Sequence, residues 1–434
     1  MTGGTMEQRV VRVALVAGVI VLGLLVLLAT CGGGSGKDRS GAAPREPAKR
    51  SADPSVRLPV PAEYDAAPRW QVRGASPEYA IARGADRIGL VERVRADRFR
   101  LRAIDAASGA TRWKSEAWRP LSDPRHFPRL LSVGKDGREY FVTWSYGKVL
   151  GRDDALAEAK AVVVLDAYAV EDGSRRRVEL PWAGVPSVDG SGPGILVSDG
   201  GADSAVVDPA TGRVSRVAAK ALGAPKGCRD CRVQTEVRAV TDKGLLVSGR
   251  REFWVRGGWH SRKAAPAGTV AASGVPISVA GGHVLATWQK KGRAGAADFE
   301  VWAVHDAAGG RVSARVECRK PAIASGSRAR AVLSPEGRYL VAGRVGFDLE
   351  TGRGRCFEAV DGTKPLWLTV VTDTGVAYGT TGARVPVRVD LGGGLATALP
   401  ASVSVPDAEV AGVGVFVWAD RMDRPYLFGH ARRG

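Results

Sequence analysis

The chain has 434 residues, a formal net charge of +18, 44% hydrophobic and 25% charged residues. These proportions exclude a disordered or collagen-like chain and leave enough apolar material for one large core or two to three ordinary domains. The positive charge is spread as arginines with no dense basic run. No helix-turn-helix, zinc-finger or RNP-type pattern accompanies it, which speaks against nucleic-acid recognition.

Residues 1–12 read as a short cytoplasmic N-terminus ending in Arg9 and Arg12. From Val13 to Cys31 there are 19 consecutive uncharged residues dominated by Val, Leu, Ile and Ala. As a helix this stretch would be about 28 Å long, enough to cross a bilayer core, so it predicts a transmembrane signal anchor with the rest of the chain outside the cytoplasm. An alternative stays open. Leu28-Ala29-Thr30-Cys31 before a Gly-rich stretch resembles a bacterial lipoprotein cleavage site, with Cys31 as the lipidated residue. Thr30 departs from that pattern, which wants Ala, Gly or Ser before the cysteine. Residues 32–61, rich in Gly, Ser, Pro, Ala and Arg, predict a disordered tether.

From residue 62 onward the chain repeats one phrase: a short apolar strand, an aspartate, three residues and a glycine. The copies are Asp105 to Gly109, Asp208 to Gly212, Asp306 to Gly310, Asp348 to Gly352 and Asp390 to Gly394, with a looser sixth from Asp166 to Gly173. An aspartate at the start of a tight turn accepts a backbone N–H two residues on, and glycine supplies the positive-φ corner that closes a hairpin. Three of the intervals between these aspartates, 166 to 208, 306 to 348 and 348 to 390, are 42 residues long. A hairpin recurring at that period predicts a β-propeller, one hairpin per four-stranded blade.

The interval from Asp208 to Asp306 holds a further turn, with Arg256 and Gly257 in the place of aspartate and its followers. The longer interval from Asp105 to Asp166 contains a polar insertion at Ser145 to Lys160, and a second insertion spans Gln289 to Asp298. Apolar strands precede the turns at Gly194 to Val197, Gly244 to Val247, His283 to Ala286, Tyr339 to Ala342 and Gly375 to Tyr378, and a last copy runs from Gly412 to Trp418. The outer strand missing from this last copy is expected from the N-terminal Arg69 to Val72, which would close the ring and hide both sheet edges. The expectation is an all-β chain: one propeller over residues 62–434 with eight blades, seven being the alternative.

Leu101 to Trp113 reads LRAIDAASGATRW, and the turns at 208–212 and 348–352 carry Asp-x-x-Thr-Gly. These residues resemble the repeat of the pyrroloquinoline-quinone-like β-propeller family over roughly residues 70–434, with the trailing tryptophan clear at Trp113 and Trp70. The resemblance implies the propeller fold. The family's quinone-dependent dehydrogenases resemble one another in an adjacent cysteine pair, a calcium site and a catalytic aspartate. This sequence has no adjacent cysteines, so no catalytic, cofactor-binding or metal residue is assigned. The family also includes the propeller lipoprotein of the outer-membrane barrel assembly machine and many exported propellers.

Besides Cys31 there are four cysteines, Cys228, Cys231, Cys318 and Cys356. In an exported protein four cysteines suggest two disulfides. Cys228 and Cys231 suit a loop-closing bond, with a redox pair as the alternative. Cys318 and Cys356 fall on outer strands of neighbouring blades, where pairing depends on geometry. A zinc site made by all four has the wrong spacings. The five histidines are dispersed, and no Gly-x-Ser-x-Gly elbow or phosphate loop is present. The functional expectation is a non-enzymatic, membrane-anchored, extracytoplasmic propeller that binds a membrane or envelope protein or an anionic cell-wall polymer, as a monomer and without cofactor. The alternative is a small-molecule- or quinone-binding propeller with oxidoreductase activity.

Overall fold

The computed structural model describes residues 56–149, 158–200, 203–228, 230–292, 298–320, 329–358 and 366–433. The segment 13–31, Cys31 and the tether up to residue 55 lie outside the described residues. Among the described residues no helix is long and apolar enough to cross a membrane.

The regular secondary structure of the described residues is almost wholly strand, joined as antiparallel meanders. A first meander comprises Ala75–Ala82, Arg87–Arg95, Arg98–Asp105 and Thr111–Lys114, and a second comprises Arg129–Lys135, Arg138–Val149, Lys160–Ala169 and Arg175–Pro181. The same order of four strands recurs from Ser187 to Val217 and from Leu366 to Ala398, and a three-stranded version lies between Glu236 and Val255. An eight-stranded sheet holds two further meanders, Val275 to Arg319 and Val332 to Cys356, joined side by side through one parallel bridge between Arg315 and Arg353. First strands of successive meanders stand beside one another, as do Ala75–Ala82 and Arg129–Lys135, or Leu366–Val371 and Ala408–Val410. This is the radial arrangement of a β-propeller, as the repeat implied.

The short apolar runs have a simple cause. Gly194–Ser198 is buried along its whole length. Ile195 and Val197 face one core, with Val142, Val163 and Leu165 of the preceding meander. Leu196 points the other way, into a core with Val237, Val247 and Trp254 of the following one. A second strand sandwiched between neighbouring sheets is apolar on both faces, so it reads as a continuous run and not as an alternation. Each such side chain removed from water contributes about 1.5–3 kcal/mol.

The last sheet contains Ala408–Val410, Val413–Ala419, Pro425–Ala431 and, as its fourth strand, Trp70–Arg73 from the other end of the chain. Trp70 is opposite Gly429 and Arg73 opposite Tyr426. The closure is reinforced behind the sheet. The Tyr64 hydroxyl donates to Glu409 Oε2 at 2.7 Å, and Arg432 donates to Glu409 Oε1 at 3.1 Å. Burial against the Glu409 carboxylate pushes the Tyr64 hydroxyl far above the usual tyrosine range.

Three expectations need correction. The tether expected over residues 32–61 does not reach its predicted end: Leu58 is only 5% exposed and packs with Tyr64, Val376 and Phe416, while Pro59 O accepts a hydrogen bond from Ser404 N. The apolar Val56, Leu58 and Val60 alternate through this Pro-bounded stretch and cover the side of the closing sheet. The insertion at Ser145 to Lys160 begins not as irregular loop but as a prolonged hairpin, with Val149 paired to Lys160; residues 150–157 lie outside the described residues. Gln289 likewise belongs to a strand, and residues 293–297 of the second insertion lie outside the described residues. Third, the looser repeat is out of register. Asp166 sits inside a strand, 2% exposed and paired with Arg175 and Arg177, and the turn is instead closed by Gly173 N donating to Ala169 O.

Candidate functional site

The turn residues form a recurrent local structure. Asp208 Oδ1 accepts Ala210 N at 2.8 Å and Thr211 N at 2.9 Å, while Gly212 N donates back to Asp208 O. The carboxylates of Asp306, Asp348 and Asp390 accept the N–H groups two and three residues on in the same way, and Asp105 Oδ1 accepts Ser108 N. All five closing glycines have φ between 69° and 76°, Gly109 being the lowest and Gly310 the highest. Hydrogen bonds from Arg112 and Ser108 hold the Asp105 carboxyl at about 2, below the usual carboxylate range. These residues are spread over separate sheets and do not converge on one site.

What the turns do is receive a side chain from the neighbouring sheet. The Trp70 indole Nε1 donates to Ala106 O at 2.8 Å, Trp113 donates to Val170 O at 2.8 Å and Trp259 donates to Ala307 O at 2.9 Å. In each case the ring lies against the closing glycine of the same turn: Gly109, Gly173 and Gly310. Arg355 takes the same place beside Gly394, with Nε donating to Leu391 O at 2.8 Å. The sequence signalled Trp70 and Trp113 through the repeat. Trp259 escaped notice because it follows the aspartate-free turn, and Arg355 because nothing in its spacing marks it.

The cysteines pair as two disulfides, Cys228–Cys231 and Cys318–Cys356. The second joins the outer strands Val312–Arg319 and Arg353–Cys356, next to the Arg315–Arg353 bridge. Beside it the buried Arg344 reaches Glu300 at 2.6 Å and Glu358 at 2.5 Å, linking the same two meanders by charge. The two cysteine pairs lie in different cores, Cys228 and Cys231 with Trp254, Cys318 with Phe347, so a common four-cysteine metal site is ruled out.

The place where functional groups do converge is the axial cavity, of about 1580 Å³, lined by the first strands of the meanders. The lining runs through consecutive residues of these strands, such as Glu78 to Ile81 and Pro276 to Gly281, and mixes apolar with polar side chains. Tyr79 and Arg83 come from the first meander, Arg238 from the three-stranded one, Arg330 from the approach to Val332, and Asp407 from the approach to the last sheet. Burial lowers the Arg83 guanidinium, which donates to Glu409 O at 3.1 Å. Burial raises the Tyr79 hydroxyl, with the Asp407 charge adding to the shift. Asp407 is open to the cavity yet deep in the protein. Burial raises its carboxyl, against the hydrogen bond that Oδ2 accepts from Val417 N. Arg238 is anchored to Glu236 at 2.8 Å and to Ser248 at 3.0 Å. The result is a wide, water-accessible chamber with fixed charges of both signs, suited to holding a polar partner by several directed contacts. None of the turn aspartates, turn glycines or cysteines singled out in the sequence lines it, while Leu246 and Val417 of the apolar runs do.

Two of the histidines are engaged elsewhere. His305 Nδ1 lies 2.9 Å from Gly310 O, with the ring stacked on Trp259, and His430 Nδ1 lies 2.8 Å from Asp65 O.

No protein-family model matches the chain, and no curated protein matches it. Among solved structures it is similar to BamB from Moraxella catarrhalis, at 13% identity and a TM-score of 0.39, covering 83% of this chain and 98% of that one. The β-propeller domain of Cps50 (Swd1) from Myceliophteria thermophila is matched at 12% identity and a TM-score of 0.36, over 82% of this chain and 99% of that one. An acylaminoacyl peptidase from Pyrococcus horikoshii follows at 11% identity and a TM-score of 0.36, over 71% of this chain and 50% of that one.

Proposed function

We propose that this chain is an eight-bladed, extracytoplasmic β-propeller, held at the membrane through residues 13–31, that binds a protein or an envelope polymer and performs no chemistry on it. The observation that carries the reading is the axial cavity. Its charged groups come from separate meanders, and Arg83, Arg238 and Asp407 are held by hydrogen bonds to the frame, which is how a rigid scaffold presents a recognition surface. Eight blades are supported by the division of the eight-stranded sheet into two meanders and by the closure through Trp70–Arg73. The two disulfides support an oxidising compartment.

The test is in-cell photo-crosslinking of the full-length protein, with the photoreactive residue at Arg330 in the cavity and, in parallel, at the exposed Leu395 on an outer turn. A discrete adduct from position 330 and none from 395 is the expected result. Equal smears from both, or none, would defeat the reading. Protease added outside intact cells should remove the propeller. Its survival in spheroplasts as well, with digestion only after their lysis, would place it in the cytoplasm.

A second reading rests on the size of the chamber, which exceeds the roughly 300–1,000 Å³ of ordinary ligand pockets. A small molecule or quinone bound there would be released by denaturing the purified protein and detected by mass spectrometry of the filtrate.

A further inference from the structure

Cys228 and Cys231 meet a third chemically apt group that no turn or fold requirement explains. Glu252, on the approach to the Phe253–Val255 strand, is 3% exposed, and its Oε1 lies 3.3 Å from Cys228 Sγ. The two sulfurs and the nearest Glu252 oxygen all lie within 4.8 Å of one another, and all three residues are buried. A second cavity, of about 650 Å³, reaches Cys231 from the other side, between Leu222, Thr235 and Trp254.

A buried carboxylate needs a partner, and Glu252 has one. Arg262 donates to Oε1 at 2.5 Å through Nη2 and to Oε2 at 3.2 Å through Nε. In the disulfide form this pair is electrically balanced, and Glu252 gains nothing from the sulfurs. As a staple the bond is also weak, because the cysteines are only 3 residues apart and close almost no loop.

From this we infer that the Cys228–Cys231 dithiol, together with Glu252, forms a redox-gated site for one zinc-like divalent cation. The site is closed while the disulfide stands and opens on its reduction. A dithiol reductant transfers two electrons to the S–S bond. It becomes a disulfide itself, and the two protons it loses appear on Cys228 and Cys231. The cation then displaces both thiol protons and takes two thiolates and one carboxylate oxygen. Two thiolates and Glu252 carry three negative charges, which Arg262 and a divalent ion neutralise, so the buried set is balanced in this state as well. Thiolate donors select zinc over calcium or magnesium, and three protein ligands leave one position for water. Arg262 holds the ligating carboxylate from behind, as outer partners of metal ligands do. Breaking the S–S bond lets the sulfurs spread to the separation that two zinc ligands require, a movement of about 1–2 Å.

The experiment uses the full-length protein in detergent with Cys318→Ser and Cys356→Ser, so that only one pair can respond. After reduction with a phosphine and anaerobic desalting, zinc is titrated against a chromophoric chelator, and cadmium is used to read thiolate ligation in the ultraviolet. The expected result is one ion per chain with a thiolate-to-cadmium band, and no binding before reduction. Glu252→Gln should weaken zinc about tenfold or more while leaving the thiolate band in place. Equal zinc binding by the oxidised protein, no binding after verified reduction, or an unchanged affinity in Glu252→Gln would each overturn the inference. Circular dichroism of each form guards against unfolding. The oxidised and reduced states of one protein supply the comparison even where a substitution perturbs the fold.

Discussion

Gly109 illustrates how a single position serves two purposes. Its φ of 69° closes the turn, and a Cβ placed on it would fall 2.4 Å from the Trp70 Cβ. Gly137 has a similar φ of 75° but open space around it. Gly109→Ala should therefore lose about 3 kcal/mol, the sum of backbone strain and overpacking, and Gly137→Ala about 1–2 kcal/mol from strain alone. Urea melts of the two variants decide the matter, and equal losses would mean that the tryptophan seat is soft. The positive-φ requirement for glycine in each turn was legible in the Asp-to-Gly spacing. The second reason was not, because the indole that needs the space arrives from another sheet.

At the scale of elements, the Cys318–Cys356 bond fastens the edges of two sheets that otherwise share one parallel bridge. The cysteines are 38 residues apart, so replacing both by serine should lower stability by about 3–4 kcal/mol through the greater freedom of the unfolded chain. Chemical denaturation under non-reducing conditions measures it. A loss below about 1 kcal/mol would show that Arg344, Glu300 and Glu358 hold the two sheets unaided. The strands themselves were legible in the sequence, since runs such as Ile195, Leu196 and Val197 are forced by burial on two sides. The cavity was not legible. Tyr79, Arg83, Arg238, Arg330 and Asp407 lie on or beside first strands, in no motif and at no repeated spacing, and only the radial arrangement assembles them.

The whole molecule responds to pH through histidines that it keeps neutral. Burial lowers His260, His283, His305 and His430 from their ordinary value. The unfolded chain therefore takes up protons below about pH 6.5 that the folded chain refuses, and stability present above that pH is lost as pH falls. The deeply buried His305 adds a slope of up to about 1.4 kcal/mol per pH unit, and the more accessible histidines add less because solvent screens them. Melting temperature should be flat from about pH 8 to 7 and fall between about pH 6.5 and 5. The raised Asp407 acts with opposite sign, regaining stability as its carboxyl is protonated, in the acid range. A melting temperature that holds or rises down to pH 5 would contradict this account.

Closure by Trp70–Arg73 also imposes an order in time. Tyr64 must wait for Glu409, 345 residues further along, before it finds its hydrogen-bond partner. At synthesis speeds of about 5–20 residues per second, that delay is roughly 20–70 s. Throughout it the earliest strand has no edge to join, while every intermediate meander can already form from its own hairpins. The seam is thus a terminal checkpoint on production. A nascent chain interrupted before Pro425–Ala431 carries nearly all of the sheets and none of the seal. Its unpaired first strand is an open sheet edge on which another chain can pair.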